Sequence, residues 1–154
     1  MRKMICSAST ALLLAVAAGA SAAPQVDEAE RTRAELAARG MTLHDLFQQI
    51  FAQAIPPLKA QLPQRINDEM ELVDVSGKGT EMTYSVRLLM GNADSFDKAK
   101  AYEFARSTLV PSVCGKPDML QIMKIGGTYR YDYVGLDNKP VTSAVVAAKD
   151  CAKG

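Results

Sequence analysis

The chain has 154 residues, of which 48% are hydrophobic and 23% charged, and its formal net charge at pH 7 is +1. This length suits one domain with a hydrophobic core of its own. The near balance of charges argues against nucleic-acid binding, which would need an excess of basic residues clustered on one face.

The N-terminus has the pattern of a secretory signal peptide over residues 1–23. Arg2 and Lys3 precede a short apolar core, and small residues follow it. The small-x-small rule places cleavage after Ala22 or Ala23. Loss of this leader removes two basic residues and leaves a net charge of about −1. We therefore expect a periplasmic or secreted protein, without the ~20 consecutive apolar residues that stable membrane insertion needs.

The cysteines predict one disulfide. Cys6 precedes the apolar core, whereas a lipoprotein cysteine follows it, so we expect no lipidation and loss of Cys6 with the leader. Cys114 and Cys151 remain, and paired thiols oxidise in an exported protein. A metal or redox pair is the alternative, but Cys-x-x-Cys spacing is absent and His44 is the only histidine. A structural bridge between Cys114 and Cys151 is the prediction.

Residues 24–41 are predicted to be an N-terminal helical arm, and residues 42–154 a single α+β domain. The arm is rich in Ala, Glu and Arg over residues 26–39, with Asp27 as a possible N-cap and Gly40 as a stop. Because its apolar face is thin, we expect the arm to be loosely docked.

Thr42 should begin a second helix, with Asp45 in a capping-box position. Apolar residues recur along it at helical spacing: Leu43, Leu46, Phe47, Ile50 and Ala54. This stripe belongs to the core or contacts a partner. Pro56 and Pro57 should disrupt the helix, since neither has an amide N–H. One further turn is expected over residues 58–62.

Two strands should then flank residues 77–79, where two glycines tolerate the positive φ of a hairpin turn. In the second strand every other residue is apolar: Met82, Tyr84, Val86, Leu88 and Met90. The first strand, within residues 70–76, alternates less cleanly because Leu72 and Val73 are adjacent. Its register is left open.

A third helix is expected over residues 96–110, with Asp97 near its positive end. Its N-cap candidates are Asn92, Asp94 and Ser95. Its expected apolar positions are Phe96, Ala99, Tyr102, Ala105, Leu109 and Val113. Pro111 should kink or end this helix just before Cys114.

A short helix over residues 117–123 should end at Gly126 or Gly127. A strand with three alternating tyrosines follows, and the chain returns as a strand over residues 141–148. The order α-α-β-β-α-β-β predicts an α+β fold: an antiparallel sheet of about four strands, with helices packed largely on one face.

Five aromatic residues are candidates for binding a partner: Phe47, Phe51, Tyr129, Tyr131 and Tyr133. The tyrosines can form a surface for polypeptide capture, or they can be half-buried packing residues whose hydroxyls reach water. The methionines are core filler, or they line an adaptable groove if exposed.

Catalytic constellations are missing from the sequence. A zinc site or an activated nucleophile would rest on His44 alone. The acidic cluster Asp68, Glu69, Glu71 and Asp74 invites a glycosidase or calcium hypothesis, but along a strand it more simply marks the solvent face. Phosphate-loop and dinucleotide motifs are absent. We therefore expect a non-enzymatic protein without cofactor or metal.

A set of separate elements carries a family resemblance: Leu62, Pro63, Asp68, Leu72, Tyr84, Cys114, the Tyr-x-Tyr-x-Tyr strand and Cys151. Over about residues 60–151 the pattern resembles the quorum-sensing-regulated secreted virulence-factor family and, more remotely, disulfide-bearing secretion pilotins. The resemblance implies an α+β periplasmic or secreted protein without known catalytic residues. Pilotins are usually membrane-anchored, and a lipobox is missing here.

Our leading hypothesis is a periplasmic or secreted protein that binds another polypeptide through a groove between helices and sheet. The alternative is a secreted effector or immunity-type inhibitor, which should show a charged, complementary patch. A small hydrolase is the third hypothesis. It would need a pocket that holds His44 or brings two carboxylates together.

Overall fold

The computed structural model describes residues 28–152. The predicted leader with its cleavage site, Cys6 and the proposed cap Asp27 lie outside these residues. Within them, no helix combines the length and the apolar character that crossing a membrane would require.

Five α-helices and one 3₁₀ turn form the helical part of the described chain. The helices are α1 (Glu28–Ala38), α2 (Leu43–Lys59), α3 (Lys98–Cys114), α4 (Pro117–Lys124) and α5 (Ala148–Cys151), and the 3₁₀ turn is Ala93–Ser95. The predicted arm is thus helical, it ends before Gly40 with a φ of 68°, and it buries Ala29 and Leu36. Its separation from the domain stays a prediction.

One sheet contains all five described strands in the order β1-β2-β3-β4-β5. The strands are β1 (Gln64–Arg65), β2 (Met70–Lys78), β3 (Glu81–Leu88), β4 (Thr128–Val134) and β5 (Pro140–Val146). This confirms the α+β class and roughly confirms the expected strands. The expected antiparallel pairing needs correction at β3 and β4, which are parallel. The chain reaches β4 through α3 and α4 instead of a hairpin, and such a crossover permits parallel pairing.

The helices and the core share one face of the sheet. The register places Val75, Tyr84, Tyr131 and Ala144 side by side on that face. Helix α2 packs mainly on β2, and α3 packs mainly on β5. On the opposite face Glu71 and Glu81 form ion pairs with Arg87 and Arg130. The expected placement of the helices is confirmed.

The predicted capping box begins α2. The Thr42 hydroxyl accepts a hydrogen bond from the Asp45 amide at 3.2 Å, and the Asp45 carboxylate accepts one from the Thr42 amide at 2.8 Å. Together they satisfy two amides that the helix itself cannot. In the predicted stripe Phe47 is buried, and Phe51, which lies beside that stripe, is also buried.

Pro56 and Pro57 were expected to disrupt the second helix, which was wrong, and of the two outcomes expected at Pro111, a kink or an end, the structure excludes the end. Helix α2 continues through Pro56 and Pro57, and α3 continues through Pro111. A proline leaves the carbonyl four residues earlier without its N–H donor. Those carbonyls belong to residues 52, 53 and 107, all exposed, so water can donate to them. Beyond each proline, Leu58 or Val113 still packs against the core.

Helix α3 begins two residues later than expected. Its N-cap is Asp97, whose carboxylate accepts hydrogen bonds from the amides of Ala99 and Lys100. The predicted buried positions hold for Ala105, Leu109 and Val113, but Ala99 and Tyr102 are exposed.

The predicted hairpin is present, but its turn consists of Gly79 and Thr80. Gly79 has the positive φ, 64°, that the turn needs. Gly77 belongs to β2, and a Cβ there would lie 2.4 Å from the ring of Phe51. The register shifts between Leu72 and Asp74, which explains the irregular alternation of this strand.

The predicted disulfide is confirmed. Cys114 at the end of α3 bonds to Cys151 in α5. Beside it, the Arg106 guanidinium donates to the Asp150 carboxylate at 2.8 Å and to the Val145 carbonyl at 2.6 Å. These contacts attach the last helix to α3 and to β5.

We expect Gly77→Ala to destabilise the fold by about 1–3 kcal/mol, because the added methyl group overlaps the Phe51 ring. Urea denaturation gives the free energy of unfolding. Ser76→Ala, at the exposed neighbouring position, is the matched control and should change it by less than about 0.5 kcal/mol. Equal stability of the two variants would contradict the overlap.

Replacement of Cys114 and Cys151 together by alanine should cost about 3–4 kcal/mol, since the bridge closes a loop with a sequence separation of 37. Denaturation of the oxidised protein and of the double variant measures the loss. Thiol labelling of exported, denatured protein provides the independent check. Two reactive thiols there would contradict the bridge.

Candidate binding groove

A cavity of about 420 Å³ lies between α3 and the sheet, and we call it the α3 groove. Strand residues form its floor: Met70, Leu88, Tyr133 and Thr142. Residues of α3 and the segment before it form its wall: Phe96, Ala101, Phe104 and Ala105. The lining is therefore largely apolar, and the volume is typical of ligand sites.

Large apolar side chains are exposed around this groove. Phe104 is 64% exposed and Met90 is 58% exposed, and both line it. Leu136 is 48% exposed, and its amide donates a hydrogen bond to the carbonyl of Gly91, the residue after Met90. Ile66 is 53% exposed, and its amide donates a hydrogen bond to the carbonyl of Met70, which lines the groove. Two large exposed apolar side chains that line one groove are typical of a docking site.

The rim of the groove is fixed by close contact between two turns. A Cβ on Gly135 would lie 2.3 Å from the Ala93 nitrogen, so only glycine allows this approach. The Asp137 carboxylate accepts a hydrogen bond from the Ala93 amide at 3.0 Å, and this bond holds the pKa of Asp137 below its usual range. The 3₁₀ turn before α3 is thereby held against the β4–β5 turn.

The same rim is tied to the polar face of the sheet. The Asn138 side-chain oxygen accepts hydrogen bonds from the Arg87 guanidinium at 2.9 and 3.2 Å. Arg87 also pairs with Glu71 at 2.6 Å. Asn138 has a φ of 59°, a conformation that asparagine tolerates better than most residues.

The tyrosines of β4 lie on the face that carries the helices. Tyr129 and Tyr133 are 5% and 9% exposed, and Tyr131 is half-buried. The Tyr84 ring stacks on Tyr131 with centroids 5.1 Å apart. Tyr133 lines the α3 groove. Tyr129 and Tyr84 line a second cavity of about 250 Å³ between α2 and α4.

Their hydroxyls keep contact with solvent. The hydroxyls of Tyr129, Tyr131 and Tyr133 form no hydrogen bond with the described residues. Because no side-chain oxygen in residues 28–152 is both fully buried and unpaired, these three hydroxyls must reach solvent. Burial raises the pKa of Tyr129 and that of Tyr133 to about 12. It also raises the pKa of Tyr131 and of Tyr84. These phenols therefore remain hydrogen-bond donors at neutral pH.

The two phenylalanines named from the sequence line the second cavity, although little of their own surface is exposed. Phe47 is fully buried and Phe51 is 6% exposed, because both rings pack beneath α2 against the sheet. Met82 and Met123 are buried as core filler. Met90 differs, since it lies beyond the end of β3. Met90 and Phe104 are the most exposed large apolar side chains in the described residues.

Sequence reasoning missed Phe104 as a surface residue. It stands between Glu103 and Ala105 and falls outside the predicted apolar stripe of its helix. An aromatic residue on the polar side of a helix was the signal that could have identified it. Phe96 precedes the helix, packs against the core as its spacing predicts, and also joins the groove wall.

The residues considered for catalysis do not converge. His44 is exposed near the start of α2. Glu71 pairs with Arg87, and Asp74 pairs with Lys59 at 3.0 Å. Among residues 28–152, no cluster of three or more histidine, cysteine or acidic side chains is arranged to hold a metal ion.

Neither a protein-family model nor a curated protein matches the chain. Three solved structures share its fold, and each covers 71% of it. A candidate secreted protein from Pseudomonas aeruginosa is 18% identical, with a TM-score of 0.57 and 92% of its own chain covered. The type 2 secretion pilotin EpsS from Vibrio vulnificus is 15% identical, with a TM-score of 0.58 and 94% covered.

The type II secretion pilotin AspS from Vibrio cholerae is 14% identical, with a TM-score of 0.55 and 95% of its chain covered. At these identities the likeness establishes the fold alone. It agrees with the remote resemblance to pilotins. The resemblance to the quorum-sensing-regulated virulence-factor family finds no support among these structures.

Alkaline pH should destabilise the protein. Because the folded protein raises the pKa of Tyr129 and Tyr133 from 10.0 to about 12, their stabilising effect is complete below pH 10 and is lost as the pH rises through about 12. Urea midpoints at pH 8 and pH 11 measure this loss, and absorbance at 295 nm follows phenolate formation. The variant Tyr129→Phe should lose less stability over this interval than the wild type. An equal loss would contradict the assignment.

Proposed function

We propose that the protein is an exported, non-enzymatic binding protein that holds a segment of another polypeptide in the α3 groove. The exposed pair Phe104 and Met90 at the mouth of an apolar cavity is the observation that carries the proposal. Aromatic and methionine side chains are enriched at the centres of protein interfaces. When such side chains become buried at an interface, a few of them contribute most of the binding free energy.

The walls of the groove support a preformed site. Asp97 caps α3, and Asp137 with Gly135 fixes the preceding turn. A site held in its binding geometry loses less conformational entropy when a partner docks. The groove therefore suits a partner that adapts to it.

The fold neighbours give this proposal a more specific form. Two are pilotins of type II secretion systems and the third is a candidate secreted protein. A role of pilotin type, in which this chain binds a component of a secretion system, is compatible with an exported domain of this fold. The predicted leader supports export.

The effector or inhibitor alternative has less support. It calls for a charged surface that complements a target, whereas the charged face of the sheet is largely paired within itself. Arg130 lies 2.8 Å from Glu81 and 3.8 Å from Asp132, and Arg87 pairs with Glu71. Pairing within the chain leaves little net field for a partner to meet.

Replacement of Phe104 by serine should weaken partner binding at least about tenfold, since an aromatic hot-spot residue contributes about 2 kcal/mol or more and about 1.4 kcal/mol corresponds to tenfold. Capture from periplasmic extract with the mature protein identifies the bound polypeptide, and titration of that polypeptide gives the affinity. The fold should be retained, because the side chain is 64% exposed.

Tyr102→Ser is the matched control. Tyr102 is an exposed aromatic residue on the same helix, at 47%, but it does not line the groove. A photoreactive phenylalanine at position 104 should crosslink the captured polypeptide, and the same group at position 102 should not. Equal capture and equal crosslinking at both positions would refute the groove as the site.

A further inference from the structure

The rim of the α3 groove carries acidic side chains that the protein does not neutralise. Glu69 lines the groove, Asp68 precedes it, and Asp94 lies in the 3₁₀ turn beside the lining residue Ser95. All three are exposed. None of them takes part in an ion pair within the described residues, in contrast to Glu71 on the polar face of the sheet.

The basic side chains nearby are fewer, and two of them are already engaged. The Arg65 guanidinium donates to the carbonyls of Asn67 and Asp68 at 3.1 Å. The Lys100 ammonium lies 4.0 Å from the Asp97 carboxylate at the start of α3. Lys98 is exposed on the same turn. Four carboxylates (Asp68, Glu69, Asp94 and Asp97) face the three cations Arg65, Lys98 and Lys100, so the rim has a net charge of about −1. An anionic occupant would therefore be repelled.

The interior of the groove offers a donor and no charge. The Tyr133 hydroxyl meets no protein acceptor, so an occupant with an acceptor, such as a main-chain carbonyl, can receive its hydrogen bond. Otherwise Met70, Leu88 and Phe96 present apolar surface. An apolar centre within an acidic rim distinguishes this site from one for a fatty acid or another anionic amphiphile.

We propose that the occupant of the α3 groove is a polypeptide segment whose bulky apolar side chains are flanked by lysine or arginine. This rests on the proposed function and adds the chemistry of the partner. The apolar side chains fill the space beside Phe104 and Met90, and the basic flank meets Glu69 and the neighbouring carboxylates. Charges at an interface rim chiefly determine which partner binds and how fast it associates.

Three labelled synthetic peptides of about 12 residues test the proposal. They share one central leucine and phenylalanine pattern and carry lysine, glutamine or glutamate flanks. Fluorescence anisotropy with the full mature protein should show the lysine-flanked peptide binding at least about tenfold more tightly than the glutamate-flanked one. Raising the salt from about 50 to about 300 mM should reduce that ratio, because these charges are exposed.

Two charge-reversal variants locate the effect. Glu69→Lys should reduce the preference for the lysine-flanked peptide several-fold, whereas Glu103→Lys makes the same change in net charge on α3 away from the groove and should leave it unaltered. If both variants have an equal effect, the preference arises from the net charge of the whole protein and not from the groove rim, and the proposal is overturned.

The outcomes also separate this inference from the proposed function. If all three peptides bind equally and Phe104→Ser abolishes that binding, the charge preference is overturned but the groove is retained as a polypeptide site. Binding that ignores Phe104→Ser would overturn both. Failure of all three peptides to bind, with capture of a partner still dependent on Phe104, would overturn only the inference about its chemistry.

Discussion

The arrangement of the fold depends on α2 resting on two glycines. The ring of Phe51 occupies the space that a side chain at Gly77 would need. At Gly127 that space is taken by Ile122 together with the ring of Phe47. The two rings lie 5.8 Å apart, so they act as one contact between helix and sheet. Close packing of this kind fixes the distance and the direction of α2 relative to the sheet.

The two faces of the sheet have different roles because one lies under the helices and the other meets water. Side chains under the helices are apolar or aromatic, and those on the other face are charged and largely paired. Helix α2 packs mainly on β2 and α3 mainly on β5, while α4 contacts α3 and α5. The helices leave a cavity between α2 and α4 and the larger α3 groove between α3 and the sheet.

Both ends of α3 are anchored, which gives the groove a stable wall. At its C-terminal end the bridge to Cys151 and the pair of Arg106 with Asp150 fix the helix to the last strand and to α5. At its N-terminal end Asp97 caps the first turn, and Asp137 holds the residues before it. Apart from the local cap at Asp97, these contacts join segments distant in sequence, so the residues next to α3 do not reveal how the helix is held.

The features that the sequence determined by itself are those that depend on local interactions. The Thr42 and Asp45 capping box, the alternation of β3, the hairpin glycine and the cysteine pair each depend on neighbouring residues or on compartment, and all were predictable. The helices that continue through Pro56 and Pro111, the parallel pairing of β3 with β4, and the exposure of Phe104 depend on which faces meet the core and which meet water. Only the tertiary structure decided these, because solvation of a carbonyl and burial of a ring are set by neighbours that the chain brings together on folding.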